Sequence, residues 1–180
     1  MLHKFRDHRV CPNTKILLLG TFHPDTERTG CFFHSEAGNF LWTILPTCFG
    51  QPDLLDRPLT AKKKFMQEHG IDFADIVGSV YAPEGEDIRQ YYNDEFIDRR
   101  QPRWNDTEGL IDGLLKLEAV YFTRKTFGRL PVIEKRISEI RNHCVEHCIR
   151  FCLIDGPSRF SSAEKIADWT GTIIRKEACR

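Results

Sequence analysis

A polar loop near the N-terminus carries several side chains that could do acid–base or hydrogen-bonding chemistry. It follows the apolar run Lys15–Gly20, contains Thr21, His23 and Asp25, and ends where Asn39 opens the next apolar run. An imidazole such as that of His23 titrates in a range suited to proton transfer. A short apolar run stopped by glycine is typical of a buried parallel strand. Because ligands bind beyond the carboxyl ends of such strands, we expect a site in this loop.

A second loop of chemical interest, residues 156–161, follows the last predicted strand and reads Gly-Pro-Ser-Arg-Phe-Ser. A helix predicted from about Ser162 would place backbone N–H groups at this turn, which favours binding of an anion. Arg159 adds a basic side chain to this turn. The serines could instead serve an unrelated α/β hydrolase, but a Gly-x-Ser-x-Gly elbow is absent, so that alternative is the weakest.

A third loop is basic and begins at Arg124 and Lys125, directly after the β-rich run 119–123. Its side chains could hold phosphates. They could equally form an ordinary solvated loop.

The elements that must position these loops alternate between strand and helix. Apolar runs predict strands near 15–20, 71–77, 118–123 and 149–155. Helical patterns lie from residue 40 onward, at 59–70, 86–100, 105–116 and 131–147, and from 162 onward. This alternation predicts an α/β fold, a three-layer α/β/α arrangement around a central, mostly parallel four-stranded sheet.

Composition sets the broad class of the protein. A chain of 180 residues with 41% hydrophobic and 29% charged residues suits a single globular domain, 1–180. The formal net charge is zero, which counts mildly against a nucleic-acid binder, since such domains are often strongly basic. We find no apolar run long enough to span a membrane and no secretory signal, and therefore expect no membrane association.

The seven cysteines bear on compartment and on metal binding. An odd number, scattered through a chain of this size, argues against a disulfide scaffold and for a reducing, cytoplasmic environment. Cys144, Cys148 and Cys152, together with His143 and His147, raise the possibility of a metal site. No C-x-x-C pattern accompanies them, so we expect structural thiols and assign no metal ligand.

The first loop and its flanks, residues 15–48, resemble motif one of the uracil-DNA glycosylase superfamily. The likeness is greatest to the branch that acts on hypoxanthine and uracil. The matching positions are Gly20-Thr21, the Phe32-Phe33 pair, Asn39 and Trp42. Residues 71–80 are similar to the superfamily's second conserved segment, and Pro157, Ser158 and Ser161 match its motif two.

This resemblance implies a monofunctional DNA repair glycosylase. Such an enzyme flips a deaminated base, hypoxanthine or uracil, out of DNA and hydrolyses its N-glycosidic bond. The resemblance further implies the α/β/α fold, no cofactor and no metal. Its partner would be DNA that contains a damaged base, and we expect a monomer.

The resemblance also assigns roles to individual residues. The catalytic group comprises Asn39, which would contact the base or water, and His23 or Asp25 as the polar group beside it. The base-binding group comprises Gly20, Thr21, Phe22, Phe33 and Asp75, with Phe33 stacking on the flipped base. The DNA-binding group comprises Pro157, Ser158, Arg159, Ser161, Arg124 and Lys125.

Each main assignment has a plainer alternative. Phe33 could be core packing, Asn39 a helix N-cap, and Asp75 a cap for a neighbouring loop or helix. His23 and Asp25 could be surface loop residues.

Two departures from the family pattern favour a different function on the same fold. Gly156 stands where several branches carry His or Asn, and the Gly20–Pro24 loop is one residue longer than usual. The alternative is therefore a protein that binds nucleic acid or nucleotides with weak or no cleavage.

Overall fold

A four-stranded parallel sheet forms the centre of the computed structural model, which describes residues 1–27, 29, 32–158 and 161–176. Its strands are β1 Ile16–Gly20, β2 Ile71–Asp75, β5 Ala119–Phe122 and β6 Arg150–Leu153. They run in the order β2-β1-β5-β6, and every neighbouring pair is parallel. All four predicted strands are confirmed, with ends within about two residues of the expected bounds.

Six α-helices accompany the sheet in the described ranges. They are α1 Leu41–Cys48, α2 Leu59–His69, α3 Asp94–Arg99, α4 Thr107–Asp112, α5 Pro131–Glu146 and α6 Ala163–Trp169. A 3-10 turn, Ile88–Tyr92, precedes α3, and a π-helical turn, Thr170–Ile174, continues α6. No helix among the described residues is long and apolar enough to cross a membrane.

Two hydrophobic cores lie on opposite faces of the sheet. In β1 the side chain of Leu18 belongs to one core, while Leu17 and Leu19 belong to the other, as the alternation of side chains along a strand requires. The first core collects Trp42, Phe65 and Trp169 from α1, α2 and α6. The second collects Ile97, Ile111 and Ile133 from α3, α4 and α5. The three-layer α/β/α prediction is confirmed.

The region between β2 and β5 departs most from the sequence prediction. The helix expected at 86–100 is interrupted at Asn93, whose extended backbone and side-chain hydrogen bond to the Glu95 N–H make it the N-cap of α3. A small antiparallel pair, β3 Val77–Ser79 and β4 Arg103–Trp104, was not expected. The helix predicted for 105–116 ends at Asp112, where Gly113, a poor helix former, follows.

The N-terminal residues are structured rather than a plain polar lead-in. Leu2 and His3 form isolated β-bridges to Ser79 and Pro24, and the Lys4 N–H donates to the His23 carbonyl at 2.8 Å. The segment therefore lies along the loop that leaves β1 and holds it in place.

The cysteines divide into two groups in the described part of the chain. Cys144 is a buried free thiol in the second core, as expected, and Cys11, Cys48 and Cys148 are also free. Cys152, in contrast, is disulfide-bonded, so the prediction of a structural thiol is wrong at that residue.

Candidate active site

The two motif loops meet at the carboxyl edge of the sheet. The Phe40 N–H donates to the Pro157 carbonyl at 2.9 Å, and Asn39 forms an antiparallel bridge with Ser158. Together the loops border a cavity of about 800 Å³. This volume is within the range typical of small-molecule sites in proteins.

Most of the sequence-predicted site residues line this cavity. The loop after β1 contributes Gly20, Thr21, Phe22, His23 and Asn39. The loops after β5 and β6 contribute Arg124, Lys125, Pro157 and Ser158. Residues separated by more than a hundred positions are thus brought together by the parallel strand order, which places all three loops at one edge.

Phe33 lies in the core instead of on the cavity wall. Its side chain is 1% exposed, stacks on Phe73 with ring centroids 5.8 Å apart, and lies 4.4 Å from the ring of Phe5. This placement matches the core alternative for Phe33, and we withdraw its base-stacking assignment. Phe22 is the aromatic residue of this loop that reaches the cavity.

Of three other predicted residues, two lie away from the cavity and one is outside the described part of the chain. Asp25 is exposed and pairs with Arg6 at 2.8 Å, so of these two candidates only His23 lines the cavity. Ser161 does not line the cavity, although its neighbour Ser162 does. Arg159 falls outside the described residues.

Asp75 is buried beneath the cavity and holds two imidazoles. Its carboxylate oxygen Oδ2 accepts from His23 Nδ1 at 2.5 Å and from His3 Nε2 at 2.7 Å. The other oxygen, Oδ1, faces Gly20, where a Cβ would overlap it. Only glycine therefore fits at the end of β1. Asp75 acts here on His23, so its contact with the cavity is indirect.

The charges of this buried cluster support one another. Burial would raise the pKa of Asp75, but His23 and His3 hold it well below its usual range. Burial would lower the pKa of His23, but the facing Asp75 carboxylate raises it overall. A carboxylate on Nδ1 leaves Nε2 as the reactive nitrogen of His23, the arrangement by which hydrolases orient a general base.

His34 is a cavity residue that the sequence reasoning missed. Its backbone N–H donates to His23 Nε2 at 3.3 Å, and its Nδ1 accepts from Asn39 Nδ2 at 3.1 Å. Its φ of 53° lies in the left-handed region, which non-glycine residues rarely adopt. Burial and the neighbouring His23 lower the pKa of His34 to about 4, so it is neutral near pH 7. The only sequence signal was a histidine directly after the aromatic pair.

Asn39 lies two residues before α1 and faces the cavity. Its Oδ1 accepts from the Leu41 N–H at 3.0 Å at the start of α1, and its Nδ2 also donates to Glu36 Oε1 at 2.8 Å. The N-cap of α1 is Phe40, so the N-cap alternative for Asn39 is wrong, although its side chain accepts from the first residue of the helix and lines the cavity. An amide oxygen has two lone pairs, so Oδ1 can accept one further hydrogen bond.

The cavity wall formed by the loop after β5 carries basic side chains that are paired with carboxylates. Arg124 pairs with Asp94, which also accepts from Thr21 Oγ1 at 3.3 Å. Burial raises the pKa of Asp94, and Arg124 opposes that rise. Lys125 pairs with Asp168 at 2.6 Å. These pairs hold the basic side chains on the cavity wall, where a phosphate could exchange with a carboxylate.

Lys165 extends the basic wall from α6. Its Nζ donates to the carbonyls of Gly156 at 2.8 Å and Ser158 at 3.3 Å, so the ammonium group stabilises the conformation of the second motif loop. Burial lowers the pKa of Lys165. Neither Lys165 nor Asp94 was singled out from the sequence, because each belongs to a helical segment without a distinctive motif.

Comparison with known proteins places the fold. The solution NMR structure of a candidate uracil DNA glycosylase from Methanosarcina acetivorans is similar to this chain, with a TM-score of 0.60. The alignment has 19% sequence identity and covers 90% of each chain. No protein-family model and no curated protein matches the sequence. At this identity the comparison establishes a shared fold.

Proposed function

We propose that this protein is a DNA glycosylase that extrudes a deaminated base, hypoxanthine or uracil, and hydrolyses its N-glycosidic bond. The observation that carries this proposal is the junction of the two motif loops, through Phe40 and Pro157, around one polar cavity. The shared fold with a candidate uracil DNA glycosylase supports it. The chain would act as a single domain and as a monomer.

In this proposal the cavity receives the flipped base. Phe22 and the backbone at Gly20 and Thr21 border the space that the base would occupy. The second lone pair of Asn39 Oδ1 accepts a hydrogen bond from the base or from the attacking water. Fixed hydrogen-bond donors in such a site stabilise the negative charge that develops on a departing base.

His23 supplies the acid–base step. The sugar carbon becomes oxocarbenium-like as the base departs, and water must attack it. Nε2 of His23 accepts the proton of that water, and Asp75 stabilises the resulting imidazolium from the Nδ1 side. Nε2 of His23 can accept this proton once its 3.3 Å hydrogen bond from the His34 N–H is broken.

DNA would approach the charged wall. Arg124, Lys125 and Lys165 border the cavity and offer donors for phosphate oxygens, while Ser158 contributes from the second motif loop. Each of these cations already has an internal partner. We therefore expect binding that depends on salt with a shallow slope, equivalent to about two or three phosphate contacts.

An excision assay tests the proposal. Purified protein is incubated with duplex and single-stranded oligonucleotides that contain uracil, hypoxanthine, xanthine or no lesion, and alkali then cuts abasic sites. We expect lesion-dependent cleavage that Asn39→Ala abolishes and that Asn142→Ala, an exposed asparagine on α5, leaves unchanged. Equal cleavage by Asn39→Ala would remove Asn39 from the mechanism.

One observation favours the alternative of binding without cleavage. A Cβ at Gly156 would lie 3.2 Å from the Thr123 carbonyl oxygen, so a side chain at this position would require that carbonyl to shift by a few tenths of an ångström. The same assay decides between the two functions. DNA binding with no cleavage of any lesion would favour the binding protein, whereas cleavage of one lesion would establish the enzyme and name its substrate.

A further inference from the structure

The C-terminal end of α5 presents two imidazoles to the end of α4, on the outer surface and away from the cavity. His143 and His147 are four residues apart, the spacing that places two side chains on one helix face. Their ring centroids lie 4.2 Å apart. Asp112, the last residue of α4, accepts a hydrogen bond from His143 Nε2 at 2.8 Å through Oδ1, which also lies 3.7 Å from His147 Nε2.

The tautomer of His147 is fixed by a hydrogen bond within the helix. Its Nδ1–H donates to the His143 carbonyl at 2.9 Å, so Nε2 of the neutral ring carries the lone pair. That lone pair faces a carboxylate oxygen, which is also an acceptor. The separation of 3.7 Å is too long for a hydrogen bond. A cation between these two atoms would stabilise both, and a metal ion bound here would replace the proton of the hydrogen bond between His143 Nε2 and Asp112.

The distances suit a transition metal. With zinc–nitrogen and zinc–oxygen bonds of about 2.0–2.2 Å, neighbouring ligands of a tetrahedral ion lie about 3.3 Å apart. The two observed nitrogen–oxygen distances, 2.8 and 3.7 Å, lie on either side of that value. All three ligand atoms lie within 4.8 Å of one another. Imidazole donors favour zinc, copper or nickel over magnesium and calcium.

We propose that Asp112, His143 and His147 bind one divalent transition-metal ion, zinc being the reference case, and that the ion cross-links α4 to α5. The same fixed His147 Nδ1–H is the kind of outer-shell hydrogen bond that orients a metal-binding imidazole. Side chains of Asp112 and His147 are about half exposed, at 51% and 48%, so an ion can enter from solvent with water as its fourth ligand. This site is independent of the proposed glycosylase activity.

The nearby cysteines do not supply the ligands. Cys144 lies between the two histidines but is fully buried in the second core. Cys148 follows His147 directly and is an exposed free thiol, so a variant must separate its contribution. Metal binding in this segment thus rests on the histidines and Asp112, whereas the sequence had pointed first to the cysteines.

Zinc titration of protein without an affinity tag, stripped with a chelator, tests the proposal. Calorimetry should give one ion per chain, and His143→Gln and His147→Gln should each weaken binding by about tenfold or more, since even outer-shell partners are worth about 10–100-fold. Glu146→Gln, an exposed carboxylate in the same turn, and Cys148→Ser should leave the affinity unchanged. Zinc should also raise the melting temperature of the wild-type protein and of neither histidine variant.

Two results would overturn the proposal. One is an absence of zinc binding by the wild-type protein. The other is binding that survives in the two histidine variants but is lost in His34→Asn, which would place the ion at the His23, His34 and Glu36 cluster on the cavity wall. Because base excision is not the readout, failure here leaves the proposed glycosylase function untouched.

Discussion

His34 should make the protein less stable as the pH falls from 6.5 to about 4. The folded protein keeps this imidazole neutral down to about pH 4, whereas in the unfolded chain it binds a proton near its ordinary value of 6.5. The unfolded state therefore binds more protons in this window, and the free energy of unfolding decreases with falling pH. At 1.36 kcal/mol per pKa unit, the loss is about 3 kcal/mol.

Urea unfolding of the wild type and of His34→Asn at a series of pH values measures this effect. Asparagine tolerates the left-handed backbone at this position and cannot titrate. We expect the wild-type advantage over the variant to decrease by about 3 kcal/mol between neutral pH and pH 4. A difference that stays constant across this range would refute the reasoning. An NMR titration of the His34 ring gives the pKa directly.

The other members of the cluster titrate in different windows, so the test is specific. The pKa of His23 is raised, so its contribution is complete below about pH 6.5 and is lost as the pH rises through the raised value. The pKa of Asp75 is lowered, so its contribution is complete above about pH 4 and is lost only in stronger acid. Within this cluster, the interval between those limits reports on His34.

Three further changes test the site. Asp75→Asn removes the carboxylate that raises the pKa of His23, so the acidic limb of the excision pH–rate profile should move to lower pH. An acidic limb at the same pH as in the wild type would contradict this. Gly20→Ala overlaps Asp75 Oδ1 and should lower the unfolding free energy by about 1–3 kcal/mol and reduce excision, as measured by urea unfolding and the alkali assay. Phe33→Leu should lower stability by about 1 kcal/mol in the same unfolding assay and leave DNA affinity unchanged, because Phe33 lies in the core; weakened binding by a folded variant would restore its base-stacking role.

The fold was predictable because its signals are local. The run at β1 is apolar on both faces and ends in glycine, and β5 is also apolar and buried along its whole length. Strand pairs of two or three residues, such as β3 with β4, carry no detectable period, which is why they were missed. The break at Asn93 was also missed, since the charged residues around it are compatible with one continuous amphipathic helix.

The site was predictable in outline only. The spacing of residues identified the loops that form it, but an irregular loop has no period to show which aromatic faces the cavity. Phe22 and Phe33 were therefore both predicted to bind the base, with Phe33 as the stacking residue, and only Phe22 lines the cavity. The pairing of His3 with Asp75 joins positions 72 residues apart. Such a contact depends on how the N-terminal segment packs, and no local sequence pattern predicts it. His34 depends likewise on a backbone conformation that its residue type seldom adopts.

The close approach of Thr123 O to Gly156 restricts which sequences this fold can reach by stepwise change. Any side chain at position 156 would place its Cβ 3.2 Å from the Thr123 carbonyl oxygen, so the backbone at Thr123 must shift by a few tenths of an ångström to admit it. Because the two positions are in contact, a substitution at 156 and a change near 123 should have effects on stability that are not additive. The range of residues that position 156 tolerates therefore depends on how far the backbone directly after β5 can move.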